Sequence, residues 1–528
     1  MTKIVTQAVT KPFYITTAIS YPNGRPHVGH AYEVIATDAI ARWHRLAGDD
    51  VFFMTGTDEY GLKMAQAARD QGVSPQQLAD RNSAEFLALS EALNISHDRF
   101  IRTTEPAHHV AVQALWRAMS ANGDVYPDRY EGWYSVRDEA FYAEDELIDG
   151  EGGARLSPQG TPVEWTKEES WFFRLSDWGD RLLAHYEAHP EFIQPAARRN
   201  EVIAFVKGGL RDLSISRTSF DWGVPVPGSP GHVMYVWVDA LTNYLTATGY
   251  PDATPRSAPR WPAQLHVIGK DVVRFHAVYW PAFLMSAGLP LPEAVFGHGF
   301  VLNRGEKMSK SAGNVADPFA LAAAFGVDQL RYFLLREVVF GQDGSYSDEA
   351  IVTRTNAELA NSFGNLAQRV LSLIHKNLDG ALPITEGEQP TSEDILLQSN
   401  VCYACTVEMP RAWADLAISS AIEAWTRAVY ACNQYVDAQA PWALKKTDPA
   451  RMAAVLATLF ICIRDLAIAV SPVIPASSAR LLDAMGIPQG ERDMEAMSDP
   501  KWYQALAASG FRLAAPSPIF PRLESTTA

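Results

Sequence analysis

The chain has 528 residues, too many for one hydrophobic core, and should divide into two to four domains. Its hydrophobic share of 47% and charged share of 20% are those of an ordinary soluble globular protein. Forty-five basic against 61 acidic residues leave a net charge of -16, which argues against indiscriminate coating of nucleic acid but leaves room for one held at a local basic surface. Cys402, Cys405, Cys432 and Cys462 make no disulfide framework in so long a chain. Met1 to Lys11 has neither the apolar core of a secretory signal nor the arginine of a transit peptide. The most apolar late stretch is broken by Arg464 and Asp465, short of a clean membrane span. A reduced, cytoplasmic, soluble protein is expected.

In chain order, Phe13 to Ala18 is aromatic and β-branched and runs into Ser20-Tyr21-Pro22-Asn23-Gly24, a strand followed by a loop. Val34, Ile35, Ala39, Ile40 and Trp43 recur at helical spacing between about His30 and Ala47, Gly48 closes that helix, and Val51 to Thr55 reads as a buried strand. This is a βαβ unit, whose ligand site belongs at the carboxyl ends of its strands. Asp124 to Val224 is dense in Trp, Tyr, Gly and charge and reads as an inserted domain. Strand-like runs resume at Val233 to Val238 and Gln264 to Ile268, the expected second half of the same parallel sheet. After about Ala350 the chain is helical in period, interrupted near Glu386 to Glu393, and predicts a helix bundle. Cys402-x2-Cys405 lies in that helical pattern with no second pair nearby and reads as core cysteines.

Two short motifs carry the chemistry. In Pro26-His27-Val28-Gly29-His30 two imidazoles flank a glycine near a helix start, where backbone N–H groups favour an anion. Alone, such a tetrad is equally open to a structural reading. In Lys307-Met308-Ser309-Lys310-Ser311, with Gly313 beyond, two ammonium groups sit among small residues on a loop, which alone reads as a solvated basic turn. Together they supply what polyphosphate chemistry needs: donors at the α-phosphate and mobile cations for departing pyrophosphate. The pair resembles the HIGH and KMSKS signatures of class I aminoacyl-tRNA synthetases, and the intervening and following segments narrow the likeness to the methionyl-tRNA synthetase family.

The resemblance spans Phe13 to about Arg522 and implies a fold: a Rossmann-like parallel-sheet α/β catalytic domain with an inserted connective domain, followed by an all-α anticodon-binding bundle. The expected divisions are 1–122 and 227–300 for the two catalytic halves, 123–226 for the insert, 301–355 for the lysine-loop and stem-contact region, and 356–528 for the bundle with its tail. It implies methionine activation with ATP and magnesium, then transfer to tRNA(Met), with His27, His30, Lys307 and Lys310 as catalytic groups. The lysine loop would close over ATP, with Lys310 stabilising the transition state.

Asp58, in Gly56-Thr57-Asp58-Glu59-Tyr60-Gly61 after a buried strand, reads from its position as a helix cap, a metal ligand or an anchor for an ammonium. The resemblance assigns it to the methionine α-amino group. By the same likeness Ile19, Tyr21, Trp237, Ala240, Leu241, Tyr244, Val272, Phe275, His276 and Trp280 would line the side-chain pocket. A thioether suits aromatic edges, and His276 or Tyr21 would meet the sulfur. Leu241 stands where the family commonly has proline, and Ile19 where leucine is frequent. ATP would meet His27, Gly29, His30, Gly269, Asp271, His298, Gly299, Val301 and Lys310.

The insert departs from relatives that carry zinc knuckles. Ser135 and Asp138 stand where thiols would, and no cysteine precedes Cys402, which excludes thiolate zinc there. No metal site is expected, and packing of Trp133, Tyr134, Phe141, Tyr142, Trp165 and Trp171 should hold the knuckle. At about a hundred residues the insert is short for a hydrolytic editing domain, which favours methionine over isoleucine, leucine or valine. In the helical part Asn361, Asn365 and Arg369 share one helix face. Asn365, Arg369, Pro441 and Trp442 match the anticodon-reading positions, Trp442 stacking on a base. A monomer is implied, because the likeness stops where longer relatives append a dimerising domain. The competing readings are a nucleotidyltransferase of similar fold, a non-catalytic tRNA-binding paralogue and a cysteinyl synthetase, whose zinc–thiolate ligands are missing here.

Overall fold

The computed structural model describes residues 10–136, 140–142, 144–150, 153–252, 260–306, 308, 314–383, 390–497, 499 and 501–524. The run after Pro12 forms β1 (Pro12–Thr17), buried from Phe13 on. The loop that follows leads into α1 (Val28–Leu46), whose Val34, Ile35, Ala39, Ile40 and Trp43 are all buried, as their one-turn spacing requires. Gly48 ends the helix at φ 93°, a conformation that favours glycine. The chain returns as β2 (Asp50–Thr57), parallel to β1 with Ile15 opposite Phe53.

β3 (Arg99–Arg102) and α2 (Pro106–Ala121) complete the first half. An antiparallel ribbon follows, β4 (Val125–Ser135) against β5 (Glu164–Phe173). Then come β6 (Ile193–Gln194), α3 (Val236–Thr246), β7 (Leu265–Gly269) and β8 (Val295–His298). The main sheet is wholly parallel in the order β3-β2-β1-β7-β8-β6. The chain order reverses between β1 and β7, the switch point where sheets of this kind bind ligands at the carboxyl ends of their strands. The expected strand at Gln264 to Ile268 is β7, and it pairs directly with β1.

Three expectations are corrected. Val233 to Val238 is not a strand of this sheet: Val233 and Met234 pair with Arg217 and Ser216 in a separate two-stranded ladder, and α3 starts at Val236. Residues 233–238 are an unbroken apolar run that straddles the start of α3, and ten of the eleven residues of α3 are buried, so the run mimics a core strand. Trp165, expected in the core of the insert, is 52% exposed. It stands beside Trp133 on one face of the ribbon, while Tyr134 and Tyr142 are buried and Trp171 packs toward Trp116. The third concerns Cys402, which is exposed although Cys405 is buried. Asp138 and the polar loop near Glu386 lie outside the described residues, as does the burial of Phe141.

At Ser135 three buried hydroxyls meet. The Thr161 hydroxyl is 2.7 Å from that of Ser135 and 2.8 Å from that of Ser157, which also accepts from the Thr161 backbone N–H. Among the described residues no group of three or more His, Cys, Asp or Glu is placed to hold a metal ion.

Beyond the sheet, α4 (Val327–Glu337) leads into a run of helices. These include α5 (Asn365–Asn377), entered through a π-helical stretch at Thr355–Gly364, then α6 (Ile418–Gln439), α7 (Pro441–Thr447), α8 (Pro449–Ala469) and α9 (Pro475–Ala484). α8 is long and apolar enough to cross a membrane, but Val455, Leu459, Phe460, Ile463 and Leu466 are fully buried in the bundle. One continuous apolar cluster joins α1 to these helices, with Trp43 stacked on Trp413 at 5.3 Å.

Candidate active site

His27 is the N-cap of α1. Its Nδ1 accepts from the Gly29 N–H at 3.1 Å, and the Nδ1 of His30 accepts from the His27 N–H at 3.1 Å, a reciprocal capping box built from imidazoles. A ring that accepts at Nδ1 carries its hydrogen on Nε2, so both histidines are neutral Nε2–H tautomers in this arrangement. The rings lie 3.9 Å apart. A Cβ at Gly29 would come within 2.9 Å of the His27 ring, so a larger residue there would push the ring off its cap. The Val28 N–H donates to the Ala316 carbonyl at 3.1 Å, and the Asn303 side chain donates to the Asn314 carbonyl at 2.8 Å. The segment that leaves the lysine loop is therefore tied to the first residue of α1. Lys307, Ser309, Lys310, Ser311 and Gly313 themselves lie outside the described residues.

Most of the expected methionine pocket converges. Trp237 stacks on Phe275 with centroids 3.8 Å apart and planes at 7°, and stands edge-on to His276 at 6.0 Å. Tyr244 lies 6.1 Å from Trp280, and Ala240 and Leu241 are buried on the same helix, α3. Ile19, Trp237 and Val272 pack on one apolar cluster with Leu241, Tyr244 and Trp280. Tyr21 packs instead on a small separate cluster around Met64, whose N–H donates to the tyrosine oxygen at 2.9 Å. His276 is engaged at both nitrogens. Val272 O, 3.0 Å from Nδ1, can only accept, so Nδ1 carries the hydrogen and Nε2 accepts from the Tyr244 hydroxyl at 2.7 Å. Burial holds this imidazole down to about 4, so it is neutral near pH 7.

Asp58 is buried at the carboxyl end of β2, its N–H donating to Ser20 O at 2.9 Å. That bond draws the Ile19–Tyr21 segment alongside the strand end. Beside it, Arg102 grips the buried Glu59 with two bonds of 2.7 and 3.0 Å, and the Trp222 indole donates to Glu59 O. Asp58 thus sits on a braced turn.

The expected nucleotide-side residues come from the ends of β7 and β8. Gly269 closes β7, with Asp271 one residue beyond the turn, and a Cβ at Gly269 would meet an Asp271 carboxylate oxygen at 2.6 Å. Gly299 follows β8, and a Cβ there would strike the Gln342 backbone at 2.2 Å. Val301 is buried in a short strand parallel to Gly344–Tyr346. His298 is buried, its Nδ1 2.8 Å from Gly299 O and its Nε2 2.8 Å from a Glu33 carboxylate oxygen. Burial works against its charge, yet the hydrogen bond to Glu33 prevails and raises the imidazole above its ordinary value; burial also raises Glu33. Glu33 is the residue that sequence reasoning missed. It lies one turn after His30 on α1 and ties that helix to the end of β8.

Far along the chain a second constellation forms. Arg369, on α5, donates to Asp437 at 2.7 Å and lies 5.3 Å over the Trp442 ring. Trp442 is 48% exposed at the start of α7, where the buried Pro441 holds the first position. Asn361 and Asn365 line a groove closed on its other side by Pro518, Ile519 and Phe520.

The family described as tRNA synthetases class I (M) matches residues 13–371, and that described as the anticodon binding domain of methionyl tRNA ligase matches residues 406–527. Curated methionine–tRNA ligases of Brucella suis and Mesorhizobium japonicum are 57% and 58% identical; each alignment covers 97% of this chain, and 98% and 97% of those proteins. The solved Mycobacterium tuberculosis methionyl-tRNA synthetase in complex with methionyl-adenylate is 55% identical and superposes with a TM-score of 0.92, over 97% of this chain and 100% of that one. Its apo form is 51% identical, with a TM-score of 0.85 over 98% of this chain and 99% of that one. On sequence, fold and site geometry together, the chain belongs to the methionyl-tRNA synthetase family of class I aminoacyl-tRNA synthetases.

Proposed function

We propose the following division of labour within a methionine–tRNA ligase. The methionine carboxylate attacks the α-phosphate of ATP, giving methionyl-adenylate and pyrophosphate, and the terminal ribose hydroxyl of tRNA(Met) then takes the acyl group. Positioning and charge stabilisation carry both steps without a covalent protein intermediate. His27 and His30 present Nε2–H donors to the phosphate oxygens, and Lys307 and Lys310 neutralise the departing pyrophosphate. Magnesium enters with ATP as part of the substrate.

The observation that carries this reading is the Val28 N–H to Ala316 carbonyl bond, which ties the exit of the lysine loop to the helix that His27 caps. Asp58 holds the methionine ammonium. Trp237, Phe275, Leu241, Tyr244 and Trp280 surround the side chain, with Ile19, Ala240 and Val272 at its margins. Because both nitrogens of His276 are engaged, its role is to fix the Tyr244 hydroxyl rather than to donate to the sulfur. Gly269, Asp271, His298, Gly299 and Val301 cradle adenosine, with Glu33 braced against His298.

Asn365, Arg369, Pro441 and Trp442 read the anticodon, and 356–528 acts as the reading domain beside a catalytic body interrupted by the insert 123–226. One chain carries both ends, so the working unit is a monomer, and the free thiols suit a reducing cytoplasm. ATP–pyrophosphate exchange measured with each of the twenty amino acids tests the assignment. Exchange is expected with methionine alone. Exchange with cysteine instead, or with none of them, would remove it.

A further inference from the structure

Among the described residues, Asp38 and Arg331 are the most completely enclosed ion pair outside the site, both side chains 0% exposed and 2.7 Å apart. Four separate segments meet at this pair. Asp38 lies mid-way along α1 and accepts from Arg42 at 2.8 Å and from the N–H and hydroxyl of Ser96 at 2.7 and 2.6 Å. Arg331, on α4, spends its remaining hydrogens on main-chain carbonyls: Leu93 at 3.3 Å, Pro472 at 3.0 Å and Val473 at 3.1 Å. Burial acts to raise the Asp38 carboxyl, but Arg331 and Arg42 hold it below its ordinary value.

What these contacts connect is more informative than their number. Asp38 is ten residues past Val28, about 15 Å along the helix that His27 caps. Pro472 and Val473 follow the last turn of α8, a single helix of 21 residues and so about 30 Å long. The other end of α8 starts just after α7, the helix that Trp442 opens. There Arg451, in the first turn of α8, donates to Gln439 at 2.8 Å, one residue before the left-handed Ala440 that presents Pro441 and Trp442. α8 is therefore a stiff rod anchored beside Trp442 at one end and gripped by Arg331 at the other. A hydrogen-bonded ion pair fixes the angle between that rod and α1, which the surrounding non-directional apolar contacts do not.

We propose that the Asp38–Arg331 pair is a positioning element for aminoacyl transfer. It locks α1 to α8, so that occupancy at the Trp442 end sets the placement of the His27–His30 end. The inference rests on the reading that Trp442 and Arg369 meet the anticodon. Neither Asp38 nor Arg331 touches substrate, and adenylate formation, which needs no tRNA, proceeds without the lock.

The test compares the wild type with two variants. Asp38→Asn/Arg331→Met removes both charges and so leaves neither buried alone. Arg331→Lys keeps the charge but not the planar set of donors to three carbonyls. Methionine-dependent ATP–pyrophosphate exchange is measured first. Then kcat for charging is measured with a tRNA(Met) transcript and with the same transcript carrying a replaced anticodon.

The expected result is exchange within about threefold of wild type, with cognate kcat reduced by roughly tenfold or more in the double variant, the size of a typical coupling between sites. The kcat penalty for replacing the anticodon should shrink by a similar factor, and Arg331→Lys should fall between. Exchange and charging reduced by one common factor, with the anticodon penalty intact in either variant, would overturn the proposal and leave the pair a fold-stabilising contact. A wild-type enzyme that charges both transcripts with equal kcat would overturn it together with the anticodon reading.

Discussion

His276 ties the pocket to pH. Its Nδ1–H donates to Val272 O, its Nε2 accepts from Tyr244, and burial holds it down to about 4. In the unfolded chain the same imidazole titrates near about 6.5. A histidine depressed by folding favours the native state while neutral, so its contribution is complete above the unfolded value and fades as pH falls toward the folded one. At pH 5 the unfolded side chain is almost fully protonated and the folded one about a tenth protonated, a difference of about 2 kcal/mol against the native state. Glutamine at position 276 still offers an acceptor to Tyr244 and a donor to Val272, but cannot titrate. Urea denaturation of wild type and His276→Gln at pH 7 and pH 5, followed by tryptophan fluorescence, isolates the effect. His108, also buried and held down to about 4, titrates in both proteins and cancels. Between the two pH values the wild type should lose about 2 kcal/mol more than the variant. Equal losses would show that His276 is not a neutral, doubly engaged ring, and its assignment as the group that fixes Tyr244 would fall with it.

Two further substitutions probe separate parts of the account. Trp442→Ala removes a half-exposed indole braced by Arg369. A stacked base contributes about 1–3 kcal/mol, so kcat/KM for tRNA should drop by roughly 5–150-fold while pyrophosphate exchange stays unchanged; equal loss of both would merge reader and reactor. Gly299→Ala places a Cβ 2.2 Å from the rigid Gln342 backbone, and the forced displacement should cost about 1–3 kcal/mol and raise KM for ATP. A normal thermal midpoint with a normal KM for ATP would show that this turn yields freely and does not shape the nucleotide site.

The β1–α1–β2 unit was legible because its two periods are clean: α1 buries the residues that recur one turn apart, and β1 and β2 are central strands buried almost end to end. The start of α3 was not legible, because the unbroken apolar run 233–238 carries no period of its own, and the polar stripe of Asp239, Thr242, Asn243 and Thr246 begins only after it. The placement of Trp165 was misjudged because the four-stranded sheet of the insert leaves it half exposed beside Trp133, and aromatic character alone does not say which face is covered. Glu33 carried a usable signal, its one-turn spacing from His30. An acidic residue on a helix nevertheless reads as solvated until His298, 265 positions away in sequence, arrives beside it. The Ser135–Thr161–Ser157 hydroxyl cluster had no period or motif at all, since it depends on the Ser157–Thr161 turn folding against the end of β4. Convergence of Trp237, Phe275, His276 and Tyr244 was legible only through resemblance, because aromatic residues at those spacings serve equally well as core.

The central claim is that the capped histidine pair and the lysine loop act on one nucleotide. Rapid-quench measurement of methionyl-adenylate formation by Lys310→Ala, alongside equilibrium binding of ATP, tests it most directly. Removing a charge that matters only in the transition state should slow adenylate formation by about 10²–10³-fold and change ATP affinity little. A rate equal to that of the wild type would contradict the account.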